Sequence, residues 1–215
     1  MSHPPMMLRT LLVLFLIGAL APWAQAGEAT DQLKAVIDHA LKVLEDPTLK
    51  KPENATERRA QIRKTAEAIF DYKETARRAL ARHWEGRTPQ EQDEFVALFG
   101  DLLERSYMGK IEQYGGERIL YVNEVVEGDL ATVKTKILTK TKQEAPVDYR
   151  MLKSGGRWLV YDVIIEGVSL VGNYRNQFNR IITTSSYAEL VKRMKTKQEE
   201  LLIEEGGKGK PKTKS

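Results

Sequence analysis

The chain has 215 residues, a formal net charge of +4 and no cysteine. That length fits one domain, and the lack of cysteine excludes a disulfide framework. Four lysines lie in the last ten residues, so the rest of the chain is close to neutral. It shows no basic stripe with interleaved aromatic residues, which argues against nucleic acid as a partner.

The first 26 residues have the pattern of a secretory signal peptide. Arg9 precedes a short apolar run, and an A-x-A motif ends at Ala26. The run is about half as long as the roughly 20 residues that a membrane-spanning helix needs, and an uncleaved anchor is the alternative. We expect cleavage after Ala26, a single domain over residues 27–205 and a disordered Lys-rich tail over residues 206–215.

Helical spacing of apolar residues predicts the elements of the first half of the domain. One helix covers about residues 31–44 and a second covers about residues 56–69. A short helix with Asp71 as its cap follows. Thr88 then opens a long helix through a capping box, because Glu91 stands three residues after the cap.

The apolar period then changes to two, which predicts β-strands. Adjacent strands joined by short turns favour an antiparallel meander. Two helices close the chain, one over about residues 170–182 and one from Ser186. The order predicts an α+β fold, with an antiparallel four-stranded sheet covered by N- and C-terminal helices. The four predicted strands cover about residues 119–126, 133–138, 147–152 and 158–165.

Polar residues give no clear catalytic or metal site. His39 and His83 have no partner at the spacing of zinc ligands. Asp162 and Glu166 share one predicted strand at about 13 Å, by strand rise, which is wide even for an inverting acid–base pair. We interpret both as hydrogen-bond acceptors, because a buried carboxylate must be paired.

The joint after the last long strand also has a structural interpretation. Ser169 lacks the G-x-S-x-G pattern of a nucleophile elbow and suits the N-cap of the following helix. Gly167 allows a sharp turn just before it. We therefore predict that the polar residues of this joint hold the helix against the strand.

Aromatic and apolar residues recur on the long helix, the sheet and the helix after it. Such a stripe ordinarily forms a solid core, but a curved sheet roofed by helices can also enclose an apolar cavity. The residues leave both alternatives open and indicate an exported α+β domain without visible catalysis. The aromatic members are Phe95, Phe99, Tyr107, Tyr149, Trp158, Tyr161, Tyr174 and Phe178.

Three segments carry a resemblance to a known family. They are HWEGRTPQEQDEFVALFGDLLERSY from His83, VDYRM from Val147 and WLVYDVIIEGVSLVGNYRNQF from Trp158. The last joins a W-x-V-Y-D-V strand to E-G-V-S-L and N-Y-R-x-Q-F. In these motifs the chain resembles the MlaC or toluene-tolerance family, the periplasmic phospholipid-binding component of the Mla lipid-asymmetry transport system.

The resemblance implies a periplasmic lipid carrier and no enzyme activity or cofactor. Phospholipid would be the cargo, held by its acyl chains between sheet and helices. The implied partners are an outer-membrane lipoprotein complex and an inner-membrane ABC transporter complex, and we expect a monomer. Three alternatives stay open: a paralogue that carries hopanoid or another apolar lipid, a small enzyme of similar shape using Asp162 with Tyr149 or Tyr161, and a scaffold with a solid core.

The expected pocket residues are apolar positions on the sheet's inner face and on the helices above it. Strand residues two apart share a face, and helix residues one turn apart align. The predicted lipid-binding residues are Leu102, Tyr107, Val133, Ile137, Tyr149, Met151, Val160, Tyr174 and Phe178.

Overall fold

A computed structural model describes residues 27–208. The predicted signal peptide and residues 209–215 of the predicted tail lie outside the described residues. Six α-helices and five β-strands follow in the order helices, strands, helices. The helices are α1 (Glu28–Glu45), α2 (Ala55–Glu67), α3 (Tyr72–Leu80), α4 (Pro89–Ile111), α5 (Leu170–Thr184) and α6 (Tyr187–Lys208). The strands are β1 (Arg118–Glu127), β2 (Leu130–Leu138), β3 (Glu144–Ser154), β4 (Arg157–Ile165) and β5 (Val168–Ser169).

The strands form one antiparallel sheet in sequence order, β1-β2-β3-β4-β5. The predicted α+β class and the meander are confirmed. The structure adds a fifth strand of two residues, because the tight turn at Glu166 and Gly167 pairs Val168 with Ile165. A strand this short leaves no period in the sequence by which it could be predicted.

The sheet carries α1 on its inner face. The buried residues Ala29 and Leu33 of α1 pack against β2, β3 and β4 in one apolar cluster, which we call the sheet cluster. Ile69, just after α2, belongs to it, and its carbonyl accepts a hydrogen bond from the Val160 amide at 2.8 Å. The remaining buried members are Ala131, Val133, Met151, Trp158 and Val160.

The other helices form a second apolar cluster, the helical cluster, from α3, α4, α5 and α6. Its centre is aromatic. The ring centroids of Phe99 and Phe178 lie 5.2 Å apart, and those of Phe95 and Phe178 lie 5.6 Å apart, both edge to face. This is a favoured geometry for aromatic pairs. The helix α5 connects this layer to β4.

Capping residues start four helices where the sequence predicts them. Thr88 and Glu91 form the predicted capping box of α4, and Asp71 caps α3 by accepting from the Glu74 amide at 2.9 Å. Ser169 caps α5 through the Gly172 amide at 2.8 Å. Ser186 accepts from the Glu189 amide at 3.1 Å and so begins α6.

Candidate functional site

The inner face of the sheet is built by strand register. Val133 of β2 stands opposite Tyr149 of β3, and Met151 of β3 stands opposite Val160 of β4. Directly paired residues point to the same face of a sheet. Val133, Met151 and Val160 are fully buried, and α1 covers them with Leu33. Four predicted lipid-binding residues therefore lie together: Val133, Tyr149, Met151 and Val160.

Three other predicted residues lie in the helical cluster. Phe178 is buried there, and Leu102 and Tyr174 pack against it. Tyr174 meets Phe99 edge to face, with 5.1 Å between ring centroids. The predicted set therefore divides between the sheet cluster and the helical cluster.

Tyr107 and Ile137 complete the predicted set and are both half-buried. Burial raises the pKa of Tyr107, and the nearby Tyr174 adds to the rise. Ile137 stands opposite Ala145 on the same sheet face as Val133. Both side chains therefore keep accessible surface, Tyr107 near Tyr174 and Ile137 on the inner face of the sheet.

Tyr149 combines enclosure with accessible surface. Burial raises the pKa of its hydroxyl to about 12, because the charged phenolate is disfavoured away from water. The side chain is nevertheless only half-buried. The ring therefore lies largely away from water and keeps some accessible surface at the edge of the sheet cluster.

The polar joint after β4 is a closed hydrogen-bond network. The buried carboxylate of Asp162 accepts from Ser169 Oγ at 2.6 Å and from the Val171 amide at 3.0 Å, and Arg150 lies 3.5 Å away. Gly167 has φ +82°, which favours glycine. The predicted structural role of Asp162 and Ser169 is confirmed. Glu166 is exposed and takes no part in this network of Asp162.

Ion pairs join α2 to α4 and to the residue after it. They lie next to a third apolar cluster of Val43, Leu44, Ile62 and Met108. Glu112, just after α4, accepts from Arg58 Nη2 at 2.9 Å and from Arg59 Nη2 at 2.8 Å. Arg63 pairs with Glu104. Of the side chains of α2, only Ile62 and Thr65 are buried, so ion pairs form much of the attachment of this helix.

Within residues 27–208, no three His, Cys, Asp or Glu side chains lie close enough together to hold a metal ion. None of the helices described there is long and apolar enough to cross a membrane. An open groove of about 540 Å³ lies along α2, and its walls include Glu53, Glu57 and Lys64. This groove is open to solvent and does not enclose an acyl chain.

Sequence reasoning missed Tyr121, which lies on the inner face of β1. Its ring packs against the sheet cluster, and its hydroxyl oxygen is buried without a hydrogen-bond partner among the described residues. Strand alternation alone could not find it, because residues 119–122 are apolar or aromatic at every position and so show no period of two. Leu33 and Ile37 of α1 also pack in the sheet cluster, and their helical spacing predicts one apolar face, but they are outside the predicted lipid-binding set.

These features define an α+β domain whose apolar interior lies between a sheet and helices. The sequence matches the family model described as MlaC protein over residues 34–196, more than half of the chain. The chain belongs to the MlaC family, and the resemblance stated from the motifs is confirmed.

One curated protein and one solved structure are similar to most of this chain. The chain is 20% identical over 193 residues to the intermembrane phospholipid transport system binding protein MlaC of Haemophilus influenzae, covering 87% of this chain and 86% of that protein. The fold is similar to a phospholipid-binding protein from Ralstonia solanacearum, solved in complex with a phospholipid. That match has a TM-score of 0.71 and 25% identity, and it covers 82% of this chain and 99% of the other.

Proposed function

We propose that this protein is a periplasmic carrier that binds phospholipid by its acyl chains. The observation that carries the proposal is the similarity of fold to a phospholipid complex over almost the whole length of that protein. The buried sheet face of Val133, Met151 and Val160 supplies apolar surface of the required kind. No cofactor and no catalytic step belong to this proposal.

Burial of the acyl chains sets the physical demands on such a carrier. Each buried CH₂ group contributes about 0.8 kcal/mol, so two chains require on the order of 20 kcal/mol of compensating burial. A carrier must therefore enclose nearly all of both chains. Because the centre of the sheet cluster is packed, loading requires the sheet and the covering helices to separate slightly.

The same demand explains why partners are needed. Spontaneous release of a two-chain lipid into water is very slow, so exchange needs a receiving complex at each membrane. We propose an outer-membrane lipoprotein complex and an inner-membrane ABC transporter complex as these partners, with maintenance of outer-membrane lipid asymmetry as the result. The protein acts as a monomer after cleavage following Ala26. The lipid-binding residues proposed are the nine predicted above.

Native mass spectrometry of the purified mature chain tests this proposal. We expect a mass increase that corresponds to one phospholipid, retained from the cell or taken up from phospholipid vesicles. A chain that carries no lipid after purification and takes none from vesicles would refute the proposed function. Recovery of a hopanoid or another apolar lipid in place of phospholipid would identify the paralogue alternative.

A further inference from the structure

The buried hydroxyl of Tyr121, on the inner face of the sheet, has no hydrogen-bond partner among the described residues. Three buried side-chain polar atoms in the described part of the chain lack a hydrogen bond: Arg58 Nε, Arg87 Nε and Tyr121 Oη. Both arginines bind carboxylates through other nitrogens, Arg58 at Glu112 and Arg87 at Glu91. The hydroxyl is the only polar group of the Tyr121 side chain, and it has no hydrogen-bond partner among the described residues.

The surroundings of Tyr121 distinguish it from a satisfied core residue. Thr135, directly opposite on β2, donates its hydroxyl to the Val147 carbonyl at 2.6 Å. Leaving a buried donor unpaired is unfavourable, and Thr135 shows that a hydroxyl on this face can be paired within the protein. The Tyr121 ring packs against the same cluster as Tyr149 and Ile37. Its hydroxyl is therefore an unpaired donor on the sheet face that the proposed lipid would occupy.

The electrostatic surroundings favour a neutral acceptor. Burial raises the pKa of Tyr121, and the charge of Asp38 and the Tyr149 hydroxyl raise it further. The phenol is therefore a neutral donor at physiological pH. A phosphate at this buried oxygen would be a desolvated charge, which is costly. An ester carbonyl accepts a hydrogen bond without bringing a charge.

Charged groups lie further out on α1. Lys34 pairs with Asp38 at 2.6 Å, both are about half exposed, and the Lys34 ammonium lies 5.8 Å from the centre of the Tyr121 ring. In a glycerophospholipid the ester carbonyls lie between the apolar chains and the charged phosphate. We consider a lipid whose acyl chains lie among the sheet residues and whose phosphate lies in water near α1. Its ester carbonyls would then lie near the Tyr121 hydroxyl.

We propose that the Tyr121 hydroxyl donates a hydrogen bond to a carboxylic ester carbonyl of the bound phospholipid, so that the carrier recognises diacyl lipids at their glycerol backbone. This inference rests on the proposed function and assigns one polar contact within that site. Recognition at the ester level is independent of the headgroup. It distinguishes ester-linked lipids from ether-linked lipids that have the same chains.

Competition between matched lipids tests the assignment. The lipid-stripped mature chain is offered equal amounts of diester and diether phosphatidylglycerol with equal chain lengths, and the bound lipid is counted by native mass spectrometry. One hydrogen bond predicts a preference for the diester of about 2- to 10-fold in wild type. Tyr121→Phe should lower that ratio to about one. The control Tyr114→Phe, whose hydroxyl bonds Glu45 elsewhere, should keep the wild-type ratio.

A second lipid separates ester from phosphate. Diacylglycerol keeps both esters and lacks the phosphate, so its uptake should fall in Tyr121→Phe by the same factor as that of the diester phospholipid. Unchanged diacylglycerol uptake with reduced phospholipid uptake would assign the contact to phosphate and overturn the ester proposal. An equal diester-to-diether ratio in wild type and Tyr121→Phe would also overturn it. If wild type binds none of these lipids, the proposed function itself fails.

Thermal unfolding distinguishes a ligand contact from a structural role. Removal of an unpaired buried hydroxyl should leave the Tm of the lipid-stripped protein unchanged or raise it. The rise in Tm on loading diester lipid should be smaller in Tyr121→Phe than in wild type. An equal drop in Tm for the stripped and the loaded protein would show that Tyr121 acts only in the fold and would refute the proposal.

Discussion

Ser169 and Asp162 are joined by a hydrogen bond of 2.6 Å between a helix cap and a buried strand carboxylate. The Ser169 hydroxyl donates to Asp162 while it accepts from the Gly172 amide at 2.8 Å. One side chain therefore starts α5 and satisfies the buried charge of β4. This arrangement joins the first turn of α5 to β4.

Ser169→Ala should therefore lower the free energy of unfolding by more than the loss of a helix cap alone. A cap alone contributes about 1 kcal/mol, and a hydrogen bond to a charged group contributes about 1.5–3 kcal/mol. We expect the free energy of unfolding to fall by about 2–3 kcal/mol in urea titrations, with lipid binding largely retained. Ser169→Thr keeps both bonds and is the matched control. Full stability of Ser169→Ala with loss of lipid would point to a direct binding role.

Substitution of Gly167 tests the turn between β4 and β5 that positions Ser169 beside Asp162. Its φ is +82°, and an added Cβ would meet no heavy atom within 4 Å, so a substitution acts through backbone strain alone. Gly167→Val should lower stability by about 2 kcal/mol, because side chains disfavour the left-handed region by about 1–2 kcal/mol and branching at Cβ adds to this. Gly167→Asn should cost less, since Asn tolerates that region. A normal Tm with abolished lipid binding in Gly167→Val would instead indicate a functional surface.

The sequence was sufficient to predict those helices and strands that are marked by local residue patterns. The capping box of Thr88 and Glu91 marked the start of α4, and alternation marked β2 and β3. The cap at Ser169 was predicted, but its bond to Asp162 was not, because that contact depends on how the turn folds back. Local patterns specify where an element begins, and tertiary packing specifies what its residues contact.

The site was predictable only in part for the same reason. Strand period correctly placed Val133 and Tyr149 on the inner face. It could not show that α1 would cover them, since any helix with an apolar face could do so. The unpaired Tyr121 hydroxyl could not be predicted from the sequence, because the pairing of a buried side chain depends on tertiary packing.

Glu112 gives a pH-dependent prediction. Burial alone would raise its pKa, but the hydrogen bonds and charges of Arg59 and Arg58 hold it below the ordinary value. A lowered folded pKa means that the unfolded state binds more protons in acid. The stabilisation from this cluster is therefore present above the ordinary Glu pKa of about 4.3 and is lost as pH falls through the folded pKa.

Glu112→Gln should lower the free energy of unfolding by about 1–3 kcal/mol at pH 7, through loss of charge-assisted hydrogen bonds. The difference from wild type should shrink in urea titrations below about pH 4. Glu189→Gln is the control, because its partner Arg193 forms an exposed pair on one helix, and such pairs contribute little. A difference for Glu112→Gln that is constant from pH 7 to pH 3 would contradict the prediction.

The C-terminal segment 206–215 is predicted to be dispensable for lipid binding. It carries four lysines, each of which contributes about 1 kcal/mol near an anionic membrane surface. Truncation before Gly206 should leave lipid stoichiometry unchanged and slow docking on anionic vesicles. Salt should remove the docking difference, because exposed charges are screened beyond about 8 Å at physiological ionic strength. Loss of bound lipid on truncation would place the segment in the pocket.

Enlarged side chains on β2 test whether the inner face lines a lipid cavity. Ile137 is half-buried, so Ile137→Trp should displace lipid and leave the Tm of the stripped protein nearly unchanged. Val133 is fully buried beneath α1, so Val133→Trp should displace lipid and also cost about 1–3 kcal/mol by overpacking. Val125 is 40% exposed on β1 and pairs with Thr132 on the opposite face, so Val125→Trp is the control. The measurements are lipid stoichiometry and Tm, each against lipid-stripped wild type. If both inner-face variants unfold and neither loses lipid selectively, Val133 and Ile137 are solid core and the pocket lies elsewhere.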